Sequence, residues 1–104
     1  MSVNCALPIE ISFEKISDKD GATVIDCRSV EEFEDGHLQD ALSVPLQHLS
    51  VLVDYFPCNH DDHFFIYCNS GNRSGTFALY LRSIGFTKCQ SIKGGYELIG
   101  NKTC

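Results

Sequence analysis

One of the six cysteines of this chain, Cys68, stands where a cysteine can act as a nucleophile. It opens the stretch Cys68-Asn69-Ser70-Gly71-Asn72-Arg73-Ser74-Gly75, directly after Phe64-Phe65-Ile66-Tyr67, the most hydrophobic run in the chain. A segment of helical period follows. A cysteine at the end of a buried strand, joined by a short glycine-containing loop to a helix, sits among inward-pointing backbone N–H groups and near the positive end of the helix dipole. Both favour the thiolate and lower its pKa below the free value of about 8.5. Such a thiolate needs no histidine base. The same cradle would hold an anion, and Arg73 adds a positive charge with a bidentate donor fork. Arg73 has two readings of equal standing: it grips an anionic donor, or it turns away to pair with Glu32 and brace the loop.

Other groups carry weaker signals. Asp26 and Arg28 end a strand and read as a structural hydrogen-bonding pair, because the nucleophile calls for no further base. Cys27 lies between them. If its strand neighbours that of Cys68, the chains run about 4.8 Å apart and the thiols could meet, with Cys27 resolving a Cys68 persulfide as a disulfide. The alternation of side chains, with polar residues on both sides, favours instead a Cys27 that packs in the core. His37, after a glycine that ends a helix, reads as satisfied by nearby backbone, and His48 as exposed. Cys58-Asn59-His60-Asp61-Asp62-His63 is rich in metal-capable groups but matches no standard zinc spacing, so it reads as a polar turn. Glu31, Glu32, Glu34 and Asp35 read as helix-end charges. No metal and no cofactor are expected.

The elements that must position Cys68 follow from the pattern of short β-branched or aromatic runs alternating with helical segments. Thr23 to Cys27 and Phe64 to Tyr67 read as buried strands, Ala41 to Val44 and Cys89 to Ile92 as weaker ones, and Ile9 to Ser12 as an edge strand. Ser29-Val30-Glu31-Glu32 is a capping box that opens a short helix ending near Gly36. Pro45 starts a second segment, with Leu46, Leu49, Val53 and Phe56 at helical spacing. The clearest helix runs from about Ser74 to Ile84, with the stripe Phe77, Leu81 and Ile84 widened by Ala78, and Gly85 at its stop. Strands alternating with helices imply right-handed crossovers and an α/β fold with a central, mainly parallel five-stranded sheet and helices on both faces. In such sheets the site lies at the carboxyl ends of the strands, here Asp26-Cys27-Arg28 and the stretch from Cys68.

A chain of 104 residues makes a single domain, expected to have its core over about 9 to 100. Its net charge of -6, with scattered basic residues, argues against nucleic-acid binding. No run approaches the roughly 20 apolar residues of a membrane span, and the N-terminal stretch Met1 to Pro8 does not read as a signal peptide. Wide cysteine spacings without C-x-x-C point to reduced thiols and a cytoplasmic setting rather than to a disulfide framework.

Three blocks resemble the single-domain rhodaneses. Asp26-Cys27-Arg28 with Glu32-Phe33, Gly36-His37-Leu38, Ala41 and Val44-Pro45 is similar to the family's first signature. Tyr67 to Ser74 is similar to its active-site loop, a cysteine followed by four residues and an arginine. Gly85-Phe86 and Lys93-Gly94-Gly95-Tyr96 resemble the end of the domain. Asp40 stands where glycine is usual, Cys27 replaces an aliphatic residue, and a tryptophan common near the end is missing. The resemblance implies a three-layer rhodanese-like domain and a sulfurtransferase. In it Cys68 takes a sulfane sulfur from thiosulfate or a persulfide and passes it to cyanide or a thiol, protein thiols included. The amides from Asn69 to Ser74 (Asn69, Ser70, Gly71, Asn72, Arg73, Ser74) would stabilise the charged sulfur. Two alternatives differ. Phosphatases and arsenate reductases on related loops use five intervening residues rather than four, and a purely binding module of this fold would need no nucleophile.

Overall fold

The computed structural model describes residues 7–16, 23–48 and 59–99. Five strands, β1 (Glu10–Ile11), β2 (Thr23–Asp26), β3 (Leu42–Ser43), β4 (Phe64–Tyr67) and β5 (Cys89–Ile92), form one sheet in the order β1-β5-β4-β2-β3. Every pairing is parallel. The α-helices among the described residues are α1 (Val30–Asp35), α2 (Asn72–Ser83) and α3 (Gly95–Ile99). The fold is the three-layer α/β arrangement expected. β4 and β5 are buried at every residue, as central strands of a parallel sheet must be. The two outermost strands hold only two residues each, so Ala41 to Val44 pairs over half the expected length.

The sheet separates two apolar layers. On one face Ile25, Cys27, Ile66 and Cys68 pack with Phe77, Ala78 and Leu81 of α2. On the other, Phe65, Tyr67 and Ile92 pack with Phe33 of α1 and Tyr96 of α3. The α2 stripe is therefore the buried one, and a Schellman turn ends the helix. There Phe86 N–H donates to Leu81 O (3.0 Å) and Gly85 N–H to Arg82 O (3.2 Å), with Gly85 at φ +112°.

Two boundaries differ from the sequence reading. α2 begins at Asn72, not Ser74, because Gly71 adopts φ +106° and turns the chain into the helix at once. Asn72, Arg73 and Ser74 are thus its first turn rather than loop. After Pro45 only the short 3-10 turn Leu46–His48 is described; Leu49, Val53 and Phe56 lie outside the described residues. Asp40, which stands where the family usually has glycine, takes φ +66°, a conformation aspartate tolerates better than most residues. No helix among the described residues is long and apolar enough to cross a membrane.

The connection after β2 leads to β3 on one side, and the connection after β4 leads to β5 on the other. The strand order therefore reverses between β2 and β4. A ligand crevice in a parallel sheet opens at that point, and Cys27 and Cys68 are the residues that leave the two strands there.

Candidate active site

Cys68 is the first residue after β4 and is fully buried. Its sulfur accepts N–H hydrogen bonds from Gly71 (3.0 Å) and Ser74 (3.3 Å). Ser74 Oγ lies 3.5 Å away and is itself 2.6 Å from Ser91 Oγ on β5. When Cys68 ionises, the Ser74 hydroxyl turns to donate to the sulfur and Ser91 can donate to Ser74. The Cys27 thiol on the adjacent strand also favours the ionised form. Together these hold the Cys68 pKa down at about 4: Cys27 contributes most, the Ser74 hydroxyl and the Ser74 and Gly71 amides add to it, and burial opposes them all. Cys68 is therefore a thiolate at neutral pH, without a base.

The loop is also gripped from behind. Tyr96 N–H donates to Cys68 O (2.7 Å) and Glu97 N–H to Asn69 O (2.9 Å). That approach needs glycine at position 95, where φ is +60° and a Cβ would lie 2.5 Å from Cys68 O and 2.7 Å from Asn69 C and O. Asn69 adds a side-chain bond from Nδ2 to Glu97 (3.2 Å). Ser70, Asn72 and Arg73 form the exposed rim.

Arg73 takes the bracing geometry of its two readings. It donates to both oxygens of Glu32, at 3.0 and 3.2 Å. Glu32 meanwhile completes the capping box of α1, accepting from Ser29 N–H (3.0 Å) while Ser29 Oγ accepts from Glu32 N–H (3.2 Å). These partners, Arg73 first, hold the Glu32 carboxyl down at about 2. One carboxylate thus ties α1 to the first turn of α2.

Asp26 and Arg28 are brought together, but on the face of the sheet away from Cys68. Arg28 donates through Nε (3.1 Å), a second nitrogen (2.8 Å) and its backbone N–H (2.9 Å) to a fully buried Asp26. The guanidinium also donates to Gly36 O (2.6 Å) and lies 4.4 Å from the Tyr96 ring centre and 5.6 Å from that of Tyr67. The pair therefore fastens α1 and α3 to the ends of β2 and β4.

The expectation that Cys27 packs in the core holds, but the opposition between that and meeting Cys68 does not. The core on that face is the one containing Cys68, so facing inward and facing Cys68 are the same direction. His37 is satisfied by backbone as expected, with Nδ1 donating to Phe33 O at 2.7 Å. Asn59 to Asp62 form a polar turn closed by Asp62 N–H to Asn59 O (3.0 Å), while Cys58 lies outside the described residues. Cys89 donates to Ala78 O and is a packing residue. Ser91 and the Gly95 clamp are missing from the sequence reading. The adjacent glycines of Lys93-Gly94-Gly95 are the one local signal for the clamp; nothing local marks Ser91.

The fold is thus a parallel α/β domain with a buried cysteine, held by loop amides at a helix start, where the sheet reverses its strand order. The rhodanese-like domain model matches residues 12–102, and the chain belongs to that family. The uncharacterized protein YqhL of Bacillus subtilis is 36% identical over 81 residues, covering 78% of this chain. The chain matches 63% of that relative, somewhat under two thirds of its length. The thiosulfate sulfurtransferase GlpE of Pseudomonas syringae pv. syringae is 35% identical over 78 residues, covering 75% of this chain and 72% of that one. The human single-domain sulfurtransferase TSTD1 shares the fold with a TM-score of 0.83 at 22% identity, covering 94% of this chain and all of that one.

Proposed function

We propose that the protein is a sulfurtransferase that carries sulfur as a Cys68 persulfide. The observation that carries this reading is the Cys68 sulfur itself, held by the Gly71 and Ser74 amides at the start of α2. The sulfurtransferase names of relatives at 35% identity support the class of reaction.

In the first half-reaction the Cys68 thiolate attacks the outer sulfur of thiosulfate. The Sγ–S bond forms, the S–S bond of thiosulfate breaks, and sulfite leaves with the electron pair. In the second, a cyanide or thiol acceptor attacks that outer sulfur and Cys68 departs as thiolate. A low pKa serves the second step most, because a more acidic thiol leaves faster. Its cost is a lower intrinsic nucleophilicity in the first step, offset by complete ionisation. Arg73, at the rim, attracts an anionic donor while tied to Glu32. Because Cys68 is fully covered, uptake requires a small outward movement of the rim. A low-molecular-weight persulfide suits the site as well as thiosulfate, and a protein thiol can serve as acceptor at so exposed a rim.

Intact mass after incubation with thiosulfate tests the reading. We expect a gain of one sulfur atom, lost on addition of cyanide, and no gain in Cys68→Ser. Uptake by Cys68→Ser at the wild-type rate would overturn it.

A further inference from the structure

Cys27 lowers the Cys68 pKa, but it also places a second thiol beside Cys68, which sulfur transfer to an external acceptor does not require. β2 and β4 pair in register through Asp26 and Tyr67, so Cys27 and Cys68 are the next residues along on adjacent strands. The Cys27 N–H donates to Tyr67 O at 3.0 Å, which carries the pairing one residue further. Residues in register on parallel strands project to the same face, and both cysteines belong to the same buried cluster. Each thiol is the largest single influence on the titration of the other. Adjacent strands lie about 4.8 Å apart, inside the roughly 4.4–6.8 Å between Cα atoms that a disulfide requires.

We propose that Cys27 is a resolving thiol, an internal acceptor that turns the Cys68 persulfide into a Cys27–Cys68 disulfide and releases the carried sulfur as sulfide. This rests on the persulfide reading above and adds a second outcome to it. Cys27 Sγ attacks Cys68 Sγ; the new Sγ–Sγ bond forms and the bond to the outer sulfur breaks. The outer sulfur takes the electron pair, is reduced, and leaves as hydrosulfide with the Cys27 proton. Cys27 and Cys68 together are oxidised by two electrons. A dithiol reductant then resets both thiols by exchange.

The direction of approach fits this displacement. Gly71 and Ser74 reach Cys68 Sγ from the loop, whereas Cys27 reaches it from the neighbouring strand. The displacement calls for the outer sulfur on the loop side of Sγ, with Cys27 in line behind it. The protonation states change in the required order. While Cys68 is a thiolate, its acceptance of the Cys27 proton is the largest reason that Cys27 stays protonated, followed by burial and then by the Cys68 charge. Formation of the persulfide moves the charge off Sγ and removes that restraint. With an external acceptor in excess the sulfur is delivered; without one it is discharged as sulfide.

The test uses the reduced full chain, freed of reductant and kept from air, with one equivalent of thiosulfate. Trapped sulfide and intact mass are followed in wild type, Cys68→Ser, Cys27→Ser and Cys27→Val. Cys27→Ser keeps a donor beside Cys68 without a second sulfur, and Cys27→Val covers the case in which a buried hydroxyl prevents folding. Wild type is expected to gain one sulfur transiently and release one sulfide per chain. It then settles two hydrogens below its reduced mass, with Cys27 and Cys68 in one cross-linked peptide. The Cys27 variants should retain the sulfur, their sulfide release falling by an order of magnitude, and dithiothreitol should return wild type to a second round. If wild type keeps its sulfur, or sheds it no faster than the Cys27 variants, the resolving role fails while the persulfide reading stands. If wild type takes up no sulfur at all, both fail.

Discussion

The ends of β2 and β4 carry the same residue in neighbouring positions, yet the two cysteines titrate in opposite directions. Both are buried, both face the same layer, and each is followed within a few residues by a helix. Cys68 is held ionised, while Cys27 is pushed towards the neutral thiol. The difference lies in what each helix does with its first amides. At α2, Gly71 caps without a side chain, and the Gly71 and Ser74 N–H groups turn onto the Cys68 sulfur. At α1, Ser29 and Glu32 satisfy each other's N–H groups, and Arg28 N–H goes to Asp26, so none of these amides is left for Cys27. A capping box and a thiolate cradle are thus competing uses of the same orphan donors. Burial alone would raise both pKa values; the amides and the neighbouring thiol decide which cysteine ionises.

The contrast is broken most strongly by titration. Alkylation of Cys68, resolved from Cys27 by peptide mapping, should stay at its plateau from about pH 8 to about pH 5, against a free-thiol value of about 8.5. More than four powers of ten in acidity, from about 8.5 to about 4, separate that behaviour from an ordinary cysteine, and an inflection near the free value would remove the electrostatic account. Replacing Cys27 by valine removes the largest single contribution and should move the inflection upward, though not to the free value, because Ser74 and Gly71 remain. The same shift acts on stability. A folded-state pKa below the unfolded one stabilises fully above the unfolded value and is lost as pH falls towards about 4.

The next largest effect tests the opposite face. Arg28→Met leaves the Asp26 carboxylate fully buried without its guanidinium, and breaking such a pair costs about 3–5 kcal/mol. Urea unfolding should register that loss. Cys68 should nonetheless keep its low inflection in the folded fraction, because Arg28 and Asp26 lie across the sheet from it. An inflection that rises with the loss of Arg28 would mean that the two faces are not independent.

Most of this arrangement was legible where one residue's chemistry dictated its partner. The Ser29–Glu32 box, the Phe77–Leu81 stripe and the Gly85 stop each follow from local spacing, and the Arg73–Glu32 pair was one of two readings of a charged rim. Alternation also placed Cys27 correctly in the core. It could not reveal that Cys68 shares that core, since this depends on strand order and register rather than on either strand alone. Ser91 was invisible for the same reason: its role comes from a third strand brought beside Ser74. The Gly95 clamp joins residues far apart in the chain, so only the paired glycines hinted at it.

The smallest expected effect concerns Glu32, which serves both helix starts at once. The carboxylate and its partner are partly open to water, with side-chain exposures of 35% for Glu32 and 43% for Arg73, so solvent screens the pair. Its pKa near 2 is depressed, so its contribution is present above the usual carboxyl range and is lost as pH falls through about 2. Glu32→Gln keeps an acceptor for Ser29 N–H and removes only the charge facing Arg73, so unfolding should show a loss of less than about 1 kcal/mol. Glu32→Ala removes the cap as well and should cost about 1 kcal/mol more. In both variants the Cys68 inflection should stay in place, because its main causes are Cys27, Ser74 and Gly71 rather than Arg73. If Glu32→Gln alone raised that inflection, the brace would be holding the amides on the sulfur, and α1 would take part in activating Cys68 through its own cap.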